Sequence, residues 1–223
     1  MTNNESERRT TRRDFLAFAA TIAAGAMLAP SSVGRAQAAV DTAAAQRIAD
    51  HFSSVKTMMG DFVQFGPRGE QTGGKFYIER PGKIRFNYEA PAAFNVISDG
   101  DSVMVDNGRM KTVDLYPLSQ TPLKLLLDDR IDLSGRQVQS VEQAADMTTI
   151  RLADKNVFGN AKIAMMFDPQ SYELKQWTIT DAQGKETTVM IFNVKNGVTF
   201  AASTFEIDYR KVNLARERNA SKR

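Results

Sequence analysis

Apolar residues in the segment after residue 40 recur with the period of an α-helix. They stand at spacings of four, three and four residues, which places them on one face of a helix. Asp41 precedes a run of alanines and is a suitable N-cap, and Gly60 follows the last apolar position. The pattern predicts an amphipathic helix ending at Gly60 whose buried face consists of Ile48, Phe52, Val55 and Met59.

From Asp61 onward the period changes to two, which is typical of strands with one buried face. Ile84, Phe86 and Tyr88 alternate with polar residues, and Ile163, Met165 and Phe167 share one face of their segment. Turn sequences follow at short intervals, for example at Arg80-Pro81-Gly82, Ser98-Asp99-Gly100, Asp181-Ala182-Gln183-Gly184 and Asn196-Gly197. Because parallel strands would need long crossovers, this spacing predicts an antiparallel meander of roughly nine to eleven strands.

A second helix is short and apolar. Thr121 is its predicted N-cap, Pro122 its first residue, and Leu123 to Leu127 follow. A sheet of this size curls, and the two helices are available to cover one side of it as a lid. We predict a mainly β fold with an α lid (α+β): an incomplete, strongly curved antiparallel β-barrel enclosing an apolar cavity. The alternative is that the helices complete a solid core without a cavity.

The first 38 residues have the pattern of a cleaved export signal. An uncharged run from Phe15 to Ala29 is too short to span a membrane, and Ala36-Gln37-Ala38 is a signal-peptidase pattern. Arg12-Arg13 followed by Phe15-Leu16 favours a twin-arginine signal over a general secretory one. No cysteine follows the signal to accept a lipid, so we expect an unanchored protein in the periplasm.

Charge is distributed unevenly along the 223 residues, whose net charge is +3. Residues 1–38 carry five arginines and three acidic residues, and residues 210–223 carry six basic residues and one glutamate. The intervening residues 39–209 carry 18 basic and 22 acidic residues. The predicted domain is therefore mildly acidic, which argues against nucleic acid as a partner. We expect residues 210–223 to form a basic, flexible tail, with contact to anionic lipid headgroups as a hypothesis.

The sequence offers little for catalysis. It has no cysteine and one histidine, His51, and it contains neither a Gly-x-Ser-x-Gly motif nor a phosphate-binding glycine loop after a strand. We therefore predict no enzyme activity, no metal site and no cofactor. Two features remain: ten methionines, which suit either an adaptable apolar surface or an ordinary core, and Arg80 at a turn between two strands.

An ordered set of segments resembles the LolA family, the periplasmic carriers of outer-membrane lipoproteins. The segments are GDFVQF at Gly60–Phe65, GGKFYIERPGKIRFNYEAP at Gly73–Pro91, VISDGDSVMVDN at Val96–Asn107 and TPLKLLL at Thr121–Leu127. Phe86 stands where the family usually has tryptophan. The predicted twin-arginine signal also departs from the family, which generally uses the general secretory route.

The resemblance implies a soluble, monomeric carrier or chaperone whose cavity takes acyl chains from lipoproteins. It would receive them from an inner-membrane ABC transporter and pass them to an acceptor at the outer membrane, or to that membrane itself. In the family, the arginine at the position of Arg80 ties the lid to the barrel and is needed for release. The acyl-chain-binding residues predicted here are Ile48, Phe52, Val55, Met59, Phe62, Ile84, Phe86, Tyr88, Met104, Leu123, Leu126, Met165 and Phe167.

Two other classes of function stay open on sequence grounds. One is an envelope domain of the same fold that senses lipids or lipoproteins, which would usually accompany a further domain. The other is a periplasmic hydrolase on a half-barrel, against which stands the lack of a base and nucleophile pair.

Overall fold

The computed structural model of the protein describes residues 41–133, 137–153 and 160–220. The predicted export signal, residues 1–38, lies outside these ranges. Within them, no helix is both long and apolar enough to cross a membrane.

Eleven strands form a single antiparallel sheet in the order β6-β5-β4-β3-β2-β1-β11-β10-β9-β8-β7. Two meanders, β1 to β6 and β7 to β11, are joined where β1 pairs with β11. The sheet is not closed, since β6 and β7 are its two ends. The strands are β1 Thr57–Phe65, β2 Gln71–Glu79, β3 Lys83–Tyr88, β4 Phe94–Asp99, β5 Ser102–Asn107, β6 Thr112–Pro117, β7 Val138–Gln143, β8 Thr148–Ala153, β9 Lys162–Phe167, β10 Leu174–Thr180 and β11 Glu186–Asn196. This confirms the predicted mainly β, open antiparallel architecture.

The sheet is strongly curved, as one pair of rings demonstrates. Phe86 on β3 and Trp177 on β10 are four strands apart in the sheet, which in a flat sheet would separate them by about 19 Å. Their ring centroids are nevertheless 6.2 Å apart. The face that carries these two side chains is therefore concave, and side chains from distant strands meet inside it.

The first helix, α1, spans Thr42–Ser54, and its predicted N-cap is confirmed because the Asp41 carboxylate accepts a hydrogen bond from the Ala44 N–H. Its predicted end at Gly60 is wrong. Gly60 lies inside β1, where a Cβ atom would stand 2.8 Å from the Phe192 carbonyl oxygen and 2.9 Å from the Phe76 ring. The glycine therefore permits close packing within the sheet and does not terminate the helix.

The described residues contain two further helices. The predicted short helix is confirmed as α2, Leu123–Leu127, which follows a 3₁₀ turn at Leu118–Gln120. Its predicted start is wrong: Pro122 is the N-cap, and the Thr121 hydroxyl donates instead to the Leu118 carbonyl of the preceding turn. A third helix, α3, spans Tyr209–Ala220 after a 3₁₀ turn at Ala202–Phe205, so Asn196-Gly197 does not begin a further hairpin.

Helix α3 corrects the prediction of a flexible tail. Val212 and Ala215 are buried in a small apolar cluster with Ile97, Met104 and Val113, on the face of the sheet opposite to α1 and α2. Arg210, Lys211, Arg216 and Arg218 lie on the solvent side of the helix, while two buried positions three residues apart attach it to the sheet. Residues 221–223 of the predicted tail lie outside the described ranges.

Candidate functional site

The concave face of the sheet and the helices α1 and α2 enclose one continuous apolar interior. We refer to α1 and α2 together as the lid. Buried side chains of both helices pack against side chains from strands in both halves of the sheet. The members that define the interior are Ile48, Phe52, Met58, Phe62, Phe76, Ile84, Phe86, Leu125, Leu126, Leu127, Ile150, Met165, Phe167, Trp177, Val189 and Ile191.

Aromatic rings link the lid to the sheet and the strands to one another. Phe52 of α1 contacts Phe167 edge to face, with ring centroids 5.8 Å apart. On the sheet, Phe62 contacts Phe86 at 4.8 Å and Tyr88 at 4.9 Å, both edge to face. Such contacts are non-directional compared with hydrogen bonds, so the interior can exchange them for other apolar groups.

Arg80, at the turn between β2 and β3, joins the sheet to both lid helices. Its Nη1 donates a hydrogen bond to the Val55 carbonyl at 2.6 Å, and its Nη2 donates to the Leu126 carbonyl at 3.0 Å. Val55 is the C-cap of α1 and Leu126 lies in the last turn of α2. These carbonyls have no partner within their own helices, and a cation is favoured there by the helix dipole. One guanidinium thus caps both lid helices at their C-terminal ends.

The Arg80 charge is buried, with 5% of the residue exposed, and its guanidinium lies 4.3 Å from the centroid of the Phe52 ring. Burial lowers the pKa of Arg80 to about 10, while the nearby Asp129 carboxylate acts in the opposite direction. The side chain remains charged at neutral pH. Its Nε is one of two buried side-chain polar atoms without a hydrogen-bond partner in the described part of the chain.

Further hydrogen bonds hold the lid and its flanking segment in place. The Gln46 side chain on α1 donates to the Ile131 carbonyl at 2.9 Å and accepts from the Leu133 N–H at 2.7 Å. The Gly82 N–H donates to the Leu127 carbonyl at 2.9 Å, and the Lys56 ammonium pairs with Asp129 at 2.7 Å. Most of these bonds use backbone carbonyls and exposed side chains, so each can be replaced by water if the lid moves.

An apolar groove of about 190 Å³ opens from the interior. Phe86, Trp177 and Val189 of the sheet and Leu123 of α2 contribute to its walls. Its polar residues are Gln64, Tyr88 and Thr187. A smaller cavity of about 30 Å³ lies near the C-terminal end of α1, beside His51 and Tyr172. Neither approaches the volume of roughly 300–1,000 Å³ that is usual for ligand pockets, so the interior is filled by its own side chains.

The structure brings most of the predicted acyl-binding residues to this interior. Val55, Tyr88 and Leu123 are partly buried against it, and the buried ones are Ile48, Phe52, Phe62, Ile84, Phe86, Leu126, Met165 and Phe167. Met59 and Met104 do not belong to it. Met59 shares the outer face of β1 with Asp61, and Met104 belongs to the cluster under α3.

Sequence reasoning missed several residues of the interior. Met58 takes the place predicted for Met59, because β1 begins at Thr57 and alternation then turns Met58 inward together with Phe62. Trp177 and Ile191 also lie inside. The alternation in β10 and β11 indicates that each of them has one buried face, but it does not say which face is the concave one.

The described residues contain no group of three or more His, Cys, Asp or Glu side chains that could hold a metal ion. His51 contacts the Tyr172 ring edge to face, with centroids 6.0 Å apart. What the interior offers chemically is apolar surface, a few hydrogen-bonding groups at its opening, and a lid tied by one buried cation.

Comparison with known proteins finds a family and individual proteins that this chain is similar to. The profile of the family described as "Outer membrane lipoprotein carrier protein LolA" matches residues 53–208, from the end of α1 to the residue before α3. An outer-membrane lipoprotein carrier protein from Chromohalobacter salexigens is 28% identical over 205 residues, which is 86% of this chain and 94% of that protein. The one from Pseudomonas aeruginosa is 25% identical over 203 residues, with 86% and 92% covered. A solved structure from Vibrio parahaemolyticus, titled as a putative outer membrane lipoprotein-sorting protein domain, has a TM-score of 0.46 at 11% identity and covers 76% of this chain and 97% of that one.

Proposed function

This chain belongs to the LolA family of outer membrane lipoprotein carrier proteins, and we propose that it binds the acyl chains of lipoproteins released from the inner membrane and delivers them to the outer membrane. The observation that carries the proposal is the apolar interior between the concave sheet and a lid that Arg80 holds. We also propose that it acts in the periplasm, receives its cargo from an inner-membrane ABC transporter and passes it to an acceptor at the outer membrane or to the membrane itself.

Loading requires the lid to move. The groove of about 190 Å³ is too small for several acyl chains, so room must come from displacing the lid side chains from the interior. Each methylene of an acyl chain taken out of water contributes about 0.8 kcal/mol, which compensates for the apolar lid contacts that are lost. Apolar contacts are thus exchanged for similar ones, and binding can be reversible.

Arg80 sets the direction of the exchange. In the closed state it satisfies the Val55 and Leu126 carbonyls, and both bonds are lost when the lid opens. A hydrogen bond to a charged group contributes about 1.5–3 kcal/mol, so reformation of two such bonds favours lid closure and release of the cargo. Arg80 therefore acts as the release residue of the carrier.

Depletion of the protein in its own organism tests the carrier function. We expect outer-membrane lipoproteins to accumulate at the inner membrane, as measured by fractionation of the two membranes. Correct sorting in depleted cells would contradict the proposal. A sensor of the same fold, the second candidate, would instead alter envelope gene expression while lipoproteins remain correctly sorted. As a control, depleted cells express a variant in which Met59 and Met104 are replaced by leucine. It should restore correct sorting, because neither residue lies in the interior.

A further inference from the structure

Two hydrogen-bonded polar side chains line the mainly apolar groove. Tyr88 on β3 donates its hydroxyl hydrogen to Gln64 Oε1 on β1, with the two oxygens 2.7 Å apart. Both side chains line the groove of about 190 Å³ beside Phe86 and Trp177. An ordered polar pair is unexpected in a groove that only needs to accommodate hydrocarbon.

The sheet register explains why these two residues meet across an intervening strand. Phe62, Gly74 and Tyr88 are aligned on β1, β2 and β3, and Gln64 is the next inward position along β1. Gly74 has no side chain between the outer two, so Tyr88 contacts Phe62 and reaches Gln64. A Cβ atom at Gly74 would lie 1.9 Å from the Asn87 carbonyl oxygen, so no other residue fits there.

The pair leaves hydrogen-bond donors unused. Burial raises the pKa of Tyr88 to about 12, so the hydroxyl stays protonated and its one hydrogen is committed to Gln64 Oε1. That bond orients the amide of Gln64, and among the described residues none accepts a hydrogen bond from its Nε2. Thr72, which pairs with Gln64 in the β1–β2 register, has a buried hydroxyl that also lacks a partner.

We propose that Gln64 is a binding residue for the carbonyl group at the head of a bound acyl chain, and that Tyr88 positions its amide. This inference rests on the proposed carrier function. An acyl chain is joined to its cargo through an ester or amide carbonyl, which is a strong acceptor located where hydrocarbon meets polar groups. The Gln64–Tyr88 pair is the corresponding boundary in the protein, because it lines the groove beside the apolar side chains of the interior. Gln64 thus distinguishes an ester or amide linkage from one without a carbonyl, while the apolar side chains bind the hydrocarbon whatever its linkage.

The experiment compares two probes on the mature protein: a lipopeptide with two ester-linked acyl chains, and its analogue with ether-linked alkyl chains of equal length. Ether oxygens are weaker acceptors than carbonyls, so we expect the wild type to bind the ester probe roughly fivefold tighter, as one net hydrogen bond implies. Gln64→Leu should bind both probes equally and keep its affinity for the ether probe, which also verifies that it is folded. Tyr88→Phe, which keeps the ring, should reduce the ratio partly.

The matched control is Thr188→Val, which removes the 2.8 Å hydrogen bond between Thr178 and Thr188 on the opposite face of the sheet. We expect it to preserve the ester preference. An unchanged ratio in Gln64→Leu, or no preference in the wild type, would overturn the role of Gln64 while leaving the carrier function intact. If the wild type binds neither probe, the carrier function itself fails.

Discussion

The two faces of the sheet each carry helices, but they hold them by different means. On the concave face, the lid lies over a large apolar interior. The buried Arg80 ties it to the sheet by donating hydrogen bonds to the Val55 and Leu126 carbonyls of the lid helices. On the outer face, α3 contributes Val212 and Ala215 to a cluster of six buried residues, and its exposed Tyr209 and Lys211 side chains bond to the sheet. Lys211 pairs with Asp106, and Tyr209 donates to Asp99 at 2.7 Å.

The difference concerns reversibility. A buried guanidinium loses hydration when the lid closes and regains it when the lid opens, so its hydrogen bonds are opposed by a desolvation cost. The net preference for the closed lid is therefore modest, so bound acyl chains can offset it. The exposed Tyr209–Asp99 bond contributes only about 0–1 kcal/mol, and the Lys211–Asp106 pair is opposed by the desolvation of the buried Asp106 carboxylate. The attachment of α3 therefore depends mainly on its apolar contacts. We infer that the lid is built to move and α3 to stay.

The largest effect is expected for Arg80→Leu. Leucine preserves apolar contact with Phe52 but leaves the Val55 and Leu126 carbonyls without partners in the closed state, at a cost of about 1–3 kcal/mol for each buried group. Lid closure then no longer favours release. We expect normal loading of a lipoprotein and a hand-over rate to acceptor membranes reduced by at least about tenfold, as measured with a purified, loaded carrier.

Arg80→Lys is the matched variant, because it keeps the charge but cannot bond both carbonyls in the fixed geometry of a guanidinium. An intermediate rate is expected for it. Equal hand-over rates for Arg80→Leu and the wild type would show that the lid does not depend on this residue and would remove the contrast between the two faces.

Val212→Ala tests the outer face. Val212 lies on the buried side of α3 and is 1% exposed. The loss of its two methyl groups should lower the free energy of unfolding by about 2 kcal/mol. Because α3 lies outside the interior, the hand-over rate should stay at the wild-type value. Urea denaturation measures the first quantity and the transfer assay the second. A slowed hand-over at unchanged stability would mean that α3, too, takes part in the carrier cycle.

The smallest effect concerns the tie between Tyr209 and Asp99. Partial burial alone would raise the pKa of Asp99, but hydrogen bonds from the Ser102 N–H and the Tyr209 hydroxyl outweigh it, so the pKa lies below its ordinary value of 3.8. A depressed carboxylate pKa contributes stability that is present above pH 3.8 and is lost as the pH falls through the folded-state pKa.

Tyr209→Phe should therefore destabilise the protein by about 1 kcal/mol at pH 6 and by less near pH 3, in denaturant titrations at both pH values. The lid should show no such dependence over this range, because Arg80 keeps its charge up to a pKa of about 10. A mutational effect that is the same at both pH values would argue that the Asp99 carboxylate does not strengthen this bond.

Much of the fold was predictable because it depends on local patterns. The period of two, the turn sequences after β2, β4 and β10, and the leucine-rich α2 each follow from neighbouring residues, and the structure contains all of them. The wrong end of α1 has a tertiary cause. Residues after Ser54 are compatible with a helix by periodicity, yet pairing with both β2 and β11 draws Thr57 onward into the sheet.

The candidate site was predictable in type but not in every member. Alternation placed Phe62, Phe86 and Met165 on buried faces, and the structure puts them in the interior. It also placed Met104 on a buried face, but β5 is buried on both of its faces, because α3 covers the outer one. Only the position of α3 shows which buried face of β5 belongs to the interior, and no local sequence pattern predicts that position.

The amino-acid sequence by itself determined the strands, their antiparallel order within each meander, the short apolar helix and the presence of Arg80 at a turn, since these depend on propensity and period. Tertiary structure alone decided which face of the sheet is concave, that the C-terminal segment is a packed helix, and that one guanidinium reaches the ends of two helices. The physical reason is that periodicity divides the residues of a strand between two faces but does not determine which face lines the interior. Curvature and long-range packing determine it, and they bring together residues such as Arg80 and Leu126, 46 positions apart in the chain.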